Sequence, residues 1–509
     1  MRGKQAIKNI MSGLILQLVT AISGILLPRY YLLAYGSPVN GMVSSVTQFM
    51  TYLMLLEAGI SAAAVVGLYA PLAQHETDQI NGVLAAAKQF YKQSGTGYFI
   101  LVVILAILYP LAVQNQVSAK TARWMVLILS GSNLIDYFFL GKYRVLLTAD
   151  QRGYVIIFTQ AAGVVLNTIV SLIMIQGGFS ILAVKFVATA VYICRSVFIY
   201  GYVRKRYPYL DFQVKPVTDA LSQRWSVLFH QVAGLILNNN NIVIITLMMG
   251  QNALLEVSVY TIYQMIANLI SSVLSSFTNA LTAGFGDVIT RGDRKTLYEI
   301  YSEYEFIYFM LLLCSYFCMF FLCLPFVAIY TNGIQDADYI RSELMILFVL
   351  SGFLCNVRVP GITLIMAAGH YKQTRIRAGI ETCINLALSL MSVRRWGITG
   401  VLSGTAAAFL FSAVHVFWYC NRYLLPGTIR RTMTRIIRSS TLIGVLSVMC
   451  ILHFNHFIDN YAEWGMTAVL YGSLSLGMLL ICNYYCEPVV FRQIFNRCLF
   501  IIKRKANND

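Results

Sequence analysis

The sequence predicts an all-α, polytopic membrane protein of about 14 transmembrane helices, arranged as two parallel six-helix bundles followed by two C-terminal helices. Three observations carry that fold class. The 509 residues are 58% hydrophobic and only 12% charged, with a mean hydropathy of +0.67, outside the range of soluble domains. Apolar runs of roughly 20 residues, the length that crosses about 30 Å of hydrocarbon, recur from one end of the chain to the other. Short segments also recur in the same order at a period near 216 residues.

Taken in order, the first span (10 to 27) follows a basic start, as the apolar part of a signal peptide would. No small-residue cleavage site appears before Pro28 and Arg29, so it reads as an uncleaved span. The second (40 to 68) is apolar apart from Glu57. Spans at 97 to 113, 123 to 141, 154 to 175 and 179 to 201 complete the first six. The next six are 225 to 249, 256 to 285, 305 to 329, 342 to 368, 377 to 393 and 398 to 419, the last two joined by a tight turn near Trp396. Spans 13 (434 to 453) and 14 (462 to 483) precede a basic tail.

The formal charge of +17 invites a nucleic-acid reading, which its distribution decides against. With a cytoplasmic N-terminus, most of the 38 lysines and arginines fall in segments on the inner side. The outer segments hold only Arg29, Lys120, Arg123, Arg341, Arg394 and Arg395, and Lys185, Arg195 and Arg358 fall inside spans. This is the positive-inside pattern of a multi-pass protein with both termini in the cytoplasm. The eleven cysteines follow no zinc spacing and read as small core residues, so no metal site is expected. Neither a Walker nor a Rossmann glycine pattern occurs, so no nucleotide cofactor is expected either.

The repeat sets the domain organisation. Gly36 pairs with Gly250 and Gln48 with Gln264, "DQINGVLAAAKQFY" (78 to 91) with "DRKTLYEIYSEYEF" (293 to 306), "LLTADQRGY" (146 to 154) with "LIMAAGHYK" (364 to 372), and "GGFSILAV" (177 to 184) with "WGITGVLS" (396 to 403). Six spans per period is an even number, so the halves share one orientation, and a substrate cavity is expected between them. The expected divisions are 1–210, 211–425 and an appendage at 426–509.

"LLAYGSPVNGMVSSVTQFMTYLMLLEAGISAAAVVGLYAPLA", the amphipathic inner loop after it and the 6 + 6 + 2 pattern resemble the Wzx-type polysaccharide flippases of the multidrug/oligosaccharidyl-lipid/polysaccharide exporter superfamily. The resemblance spans nearly the whole chain. It rests on "LEAGI" around Glu57 and on "VLLTADQR" and "LIMAAG" after spans 4 and 10. It implies a non-enzymatic flippase of the bacterial cytoplasmic membrane that moves undecaprenyl-diphosphate-linked oligosaccharides from the inner to the outer leaflet for lipopolysaccharide O-antigen, capsule or related glycans. The lipid-linked oligosaccharide, membrane lipids and other polysaccharide-assembly proteins would be its partners. The chain departs from its relatives in span 7, where they often carry an aspartate. Here stand Asn238, Asn239, Asn240 and Asn241, which puts any ion site using that acid in doubt.

Charges within the apolar spans are expensive and mark function or structural pairing. At ~1.5 Å per residue Glu57, Asp136, Arg195, Arg358 and Glu381 gather toward the inner leaflet, and only Lys185 lies in the outer third. On the functional reading Arg195, Arg358 and Lys185 bind a diphosphate, since the guanidinium fork meets phosphate oxygens two at a time. The asparagines would meet sugar, and Glu57, Asp136 and Glu381 would act as coupling or counter-ion groups, with Arg195 the expected partner of Glu57. On the structural reading the arginines snorkel, the acids neutralise them and the asparagines bond between helices. A cation-coupled drug exporter of the same superfamily is the nearest alternative. It would favour cavity carboxylates, and span 1 has no charged residue at all. A major-facilitator transporter lacks its glycine motif in "YAPLAQHETDQING", and a membrane glycan polymerase or ligase lacks the outer loop it would need.

Overall fold

The computed structural model describes residues 2–57, 59–113, 116–218, 240–290, 293–453 and 458–506. Among the described residues there are helices and no strand. Among the described residues eleven helices are long and apolar enough to cross a membrane, or twelve when the bent pair Ser37–Glu57 and Ile60–Gln74 is counted as one span. The protein is therefore an all-α, multi-pass membrane protein.

Two features reconcile that number with the fourteen expected spans. The expected span 225 to 249 falls largely on 219–239, outside the described residues. Spans 11 and 12 form one continuous assignment, Tyr371–Tyr419, whose 49 residues would run ~74 Å if straight, more than twice the hydrocarbon thickness. It is not straight. Gly397 has φ 56° and ψ −134°, and the chain folds back there. Asn385 Nδ2 donates to Thr405 Oγ1 at 3.1 Å and Ser389 Oγ to the Val401 carbonyl at 3.1 Å, an antiparallel register centred near Trp396. The helices touch at a small-xxx-small pair, Gly400 and Gly404: a Cβ on Gly400 would lie 2.6 Å from the Ser392 carbonyl oxygen, and one on Gly404 2.6 Å from Ser389 Oγ.

The described chain forms two compact units, residues 1–261 with 333–337, and 262–332 with 338–509. In the first lie α1 (Arg2–Tyr35), α2 (Ser37–Leu53), α3 (Ile60–Gln74), α4 (Thr77–Ala112), α5 (Ala119–Ile135), α6 (Gly141–Ala149), α7 (Gly153–Gln176), α8 (Ile181–Arg206), the helical stretch 240–248 and the first turns of α9 (Ala253–Thr290). Helix α7 packs on α1 and α8, α5 on α8 and α4, and α3 on α4 and α6. The core is rich in tyrosine: Tyr91, Tyr98 and Tyr109 are buried with Met42, Leu68 and Leu84. Ser118 and Ser180 cap α5 and α8 by accepting from the N–H groups of Thr121 and Ala183.

The second unit holds the rest of α9, then α10 (Arg294–Tyr330), α11 (Ser342–Val357), α12 (Val359–Ala367), α13 (Tyr371–Tyr419), α14 (Thr428–His453), α15 (Tyr461–Cys486) and α16 (Pro488–Ala506). Helices α14 and α15, the expected spans 13 and 14, pack on α10 through Phe317, Leu322, Leu446, Cys450 and Tyr471. The arginine-bearing first half of α14 is tied by charge to Glu487 at the end of α15. Arg435 donates from Nε to both oxygens of Glu487 at 3.0 and 2.9 Å and from Nη1 to the Ser302 carbonyl at 2.8 Å, while Thr432 Oγ1 donates to the buried Glu305 at 2.6 Å. Burial pushes the Glu487 carboxyl up, but the hydrogen bonds and charges of Arg435 and Arg438 outweigh it and hold it below the usual carboxylate range.

Local geometry repeats where the sequence does. Helices α6 and α12 have nine residues each and start 218 positions apart, at Gly141 and Val359. Both end in the same turn. Gln151 has φ 57° and its counterpart Gly369 φ 71°. The bonds Asp150 N to Leu146 O, Gln151 N to Thr148 O and Arg152 N to Leu147 O recur as Ala368 N to Leu364 O, Gly369 N to Met366 O and His370 N to Ile365 O.

Replacing Gly400 with valine puts branched carbon against the Ser392 backbone. We expect Gly400→Val to destabilise the purified protein by about 1–3 kcal/mol, read as a lowered thermal midpoint, with Ile398→Val, on the same helix, close to wild type.

Candidate functional site

Four of the six charges that the sequence places inside spans, Glu57, Asp136, Arg358 and Glu381, collect at places where helices are interrupted. Between α2 and α3 the chain makes a 3₁₀ turn, Met54–Glu57, and Gly59 follows with φ 88°. The carbonyls this interruption frees find side-chain donors: Tyr137 OH reaches the Met54 carbonyl at 3.3 Å and Ser94 Oγ the Leu56 carbonyl at 2.9 Å. Glu57 closes the turn, 9% exposed. Its Oε1 accepts from Tyr91 OH at 3.1 Å and from Arg144 Nη2, while Arg144 Nη1 donates to Asp136 Oδ2 at 2.7 Å.

Arg144 stands where Arg195 was expected, and its helix explains why. Asp136 and Arg144 are eight residues apart, about 80° out of register on a regular helix. Asp136–Leu140 is a π turn, with the Gly141 N–H bonded to the Asp136 carbonyl. The extra residue removes one step, so the two side chains fall within about 20° of each other, two turns apart. The sequence ends the apolar run at Gly141 and assigns Arg144 to the inner loop; the helix continues to Ala149 and carries it into the site.

The second unit has a corresponding group. Arg358 sits at the junction of α11 and α12, where Pro360 cannot continue the hydrogen-bond ladder. Its Nη1 donates to Glu381 Oε1 and Ser412 Oγ, its Nε to the Cys355 carbonyl at 3.2 Å, and its guanidinium lies 4.7 Å from the Phe409 ring centre. Arg377 Nη1 donates to Glu381 Oε2 at 2.9 Å and to Ser412 Oγ. Arg358 is 7% exposed and Glu381 1%. The α11–α12 junction is the repeat counterpart of the π turn, 218 residues on. The two groups have opposite sign: two carboxylates with one guanidinium in the first unit, two guanidiniums with one carboxylate in the second.

Lys185 and Arg195 lie elsewhere, in a cavity of about 270 Å³ between α5, α7 and α8. Gln160, Asn167, Ser132 and Thr189 join them in its wall, which contains no aspartate or glutamate. Lys185 Nζ donates to Tyr31 OH at 2.9 Å, 4.2 Å from that ring's centre. The Arg195 guanidinium lies 5.2 Å from the Tyr192 ring, and its buried Nε has no hydrogen-bond partner among the described residues. Of the asparagines, Asn238 and Asn239 lie outside the described residues, Asn240 is buried, and Asn241 Nδ2 donates to Tyr260 OH at 3.0 Å, a bond between helices. Arg144, Arg377 and Ser412 are the members that sequence reasoning missed. Arg377 alone left a signal, its (i, i+4) spacing to Glu381.

No protein-family model and no curated protein sequence matches the chain. Solved structures do. An inward-facing multidrug-resistance MATE transporter of the MOP superfamily superposes with a TM-score of 0.64 at 15% identity, covering 86% of this chain and 99% of that one. The lipid II flippase MurJ in an inward closed conformation gives 0.66 at 13%, covering 94% and 99%. A MOP superfamily transporter from Pyrococcus furiosus, described as having a binding pocket of reversed polarity, gives 0.58 at 14%, covering 84% and 97%. The chain thus has the fold of the MATE and MurJ transporters.

Removing Arg144 leaves two carboxylates facing each other at a helix break. We expect Arg144→Leu to cost about 3–5 kcal/mol and to lower the amount of folded protein in the membrane, and the triple variant Glu57→Gln, Asp136→Asn, Arg144→Leu to recover most of it. Membrane abundance and the thermal midpoint in detergent check both.

Proposed function

We propose that this protein is a flippase that carries a diphosphate-linked oligosaccharide lipid from the inner to the outer leaflet of a bacterial cytoplasmic membrane by alternating access, for O-antigen, capsule or related surface polysaccharide. The observation that supports this reading best is the cavity holding Lys185 and Arg195. Two cations, two amides and several hydroxyls with no carboxylate suit phosphate oxygens and sugar hydroxyls and disfavour a cationic drug. At about 270 Å³ it lies just below the ~300–1,000 Å³ of a drug-sized site, enough for the charged linkage rather than a whole oligosaccharide. The MATE and MurJ fold accommodates the reading, since the lipid II flippase MurJ is among the structures that share it.

In this account the Glu57, Asp136 and Arg144 group is the coupling element. Two carboxylates share one guanidinium, so the group carries an uncompensated negative charge that a proton or another cation can neutralise. That same feature favours the second reading, a cation-coupled exporter of small molecules. Glu381 and Arg358 act as structural counter-ions, since each is enclosed by the other and by Arg377, Ser412 and Phe409.

The test is complementation of a deletion strain, with lipid-linked oligosaccharide measured in each leaflet. Each charge-assisted hydrogen bond contributes about 1.5–3 kcal/mol, so the double variant Lys185→Gln, Arg195→Gln is expected to reduce outer-leaflet substrate at least tenfold at unchanged membrane abundance. Wild-type leaflet distribution in that variant would contradict the assignment.

A further inference from the structure

We infer that the basic end of the first unit carries a separate binding site for the phosphate headgroup of a membrane lipid. The site is a cavity of about 810 Å³ enclosed by α4, α6, α8 and the segment that follows α8. Three cations converge on it from three helices: Lys88 from α4, Lys142 from α6 and Arg204 from α8. None of the three forms an ion pair among the described residues; Asp211 is the one acid in the wall, and its Oδ1 accepts from the Gln213 N–H at 2.8 Å.

Aromatic rings hold the cations in place. Lys142 Nζ lies 4.5 Å from the Phe212 ring centre and 5.0 Å from that of Tyr143, Lys88 Nζ 5.9 Å from Phe212, and the Arg204 guanidinium 5.7 Å from Tyr200. A ring face attracts a cation without neutralising it, so the positive field in the cavity stays available to an anion. The wall beside these charges is apolar and open: Phe139, Ile193 and Val197 are 66%, 48% and 63% exposed. Uncompensated cations beside exposed hydrocarbon, at the spans' basic end, match a ligand with an anionic head and an acyl tail. A free phosphate would use the cations and leave the apolar wall idle.

The site is distinct from the cavity of Lys185 and Arg195. Along α8 the residues lining that cavity are 185, 188, 189, 191, 192 and 195, whereas this site takes 193, 196, 197, 200 and 204. It therefore does not depend on the substrate proposed above. The π turn joins it to the coupling group: Asp136 meets Arg144 on one side of the turn, and Phe139 and Leu140 line the lipid site on the other.

The experiment titrates the full-length protein in detergent with short-chain phosphatidylglycerol, short-chain phosphatidylcholine or inorganic phosphate and follows thermal unfolding. Saturable stabilisation by phosphatidylglycerol is expected, at least tenfold weaker affinity in Lys88→Gln, Lys142→Gln, Arg204→Gln, and near wild-type affinity in the conservative Lys142→Arg. Phosphatidylcholine is expected to stabilise far less, and inorganic phosphate not at all at matched concentration. Equal binding by the triple variant, judged on protein whose unliganded midpoint matches wild type, would overturn the site. Equal stabilisation by inorganic phosphate would overturn the lipid as its occupant. If the triple variant does not fold, Phe139→Ser and Val197→Ser take its place: unchanged phosphatidylglycerol affinity in that pair would overturn the proposal.

Discussion

A carboxylate inside hydrocarbon is costly unless it is paired, and every described carboxylate within the spans of this protein that the sequence singles out is paired with an arginine, in a group built at a break in a helix. The break and the pair depend on each other. An interrupted helix frees backbone carbonyls and donors, which need polar side chains, and a buried ion pair needs helices whose faces are turned toward one another. At Glu57 the freed carbonyls bond Tyr137 and Ser94. At Asp136 a single inserted residue rotates Arg144 into line, and at Arg358 the proline that follows supplies the interruption. A regular helix with the same sequence would turn Arg144 about 80° away from Asp136 and leave that carboxylate without its guanidinium.

How much of this was legible follows from the same constraint. Spans are visible because hydropathy averages over 20 residues, and the repeat is visible because turn chemistry persists: Gly36 with Gly250, Gly178 with Gly397 and the shared turn after α6 and α12 all reappear as positive-φ positions or identical hydrogen-bond patterns. The charged residues themselves were found for the simple reason that they are charges in apolar runs. Their partners were not. Pairing depends on helical phase, and one inserted residue shifts phase by about 100°, which no periodicity count detects. Depth alone favours Arg195 for Glu57, whereas the partner, Arg144, lies beyond the apolar run, where hydropathy reads a loop. The turn near Trp396 was legible from composition; the close contact at Gly400 and Gly404 that makes it a hairpin was not.

The charges then divide by task. Those that meet opposite charge, Glu57, Asp136, Arg144, Arg358, Arg377 and Glu381, form ion pairs at interrupted spans, and on the proposed function the excess carboxylate of the first group is what a gradient acts on. Those that meet none among the described residues, Lys185 and Arg195 in one cavity and Lys88, Lys142 and Arg204 in another, are the ones proposed here to bind anionic ligands. The proposal of an anionic substrate rests on this division rather than on the overall charge of +17.

The most direct measurement reconstitutes the purified protein in vesicles and compares two cargoes under the same imposed gradient. One is a fluorescent lipid carrying an oligosaccharide through a diphosphate, read by its accessibility to an external quencher; the other is a fluorescent organic cation, read by its efflux. The account predicts leaflet exchange of the diphosphate lipid well above protein-free vesicles and no protein-dependent efflux of the cation. Cation efflux without exchange of the lipid would contradict it.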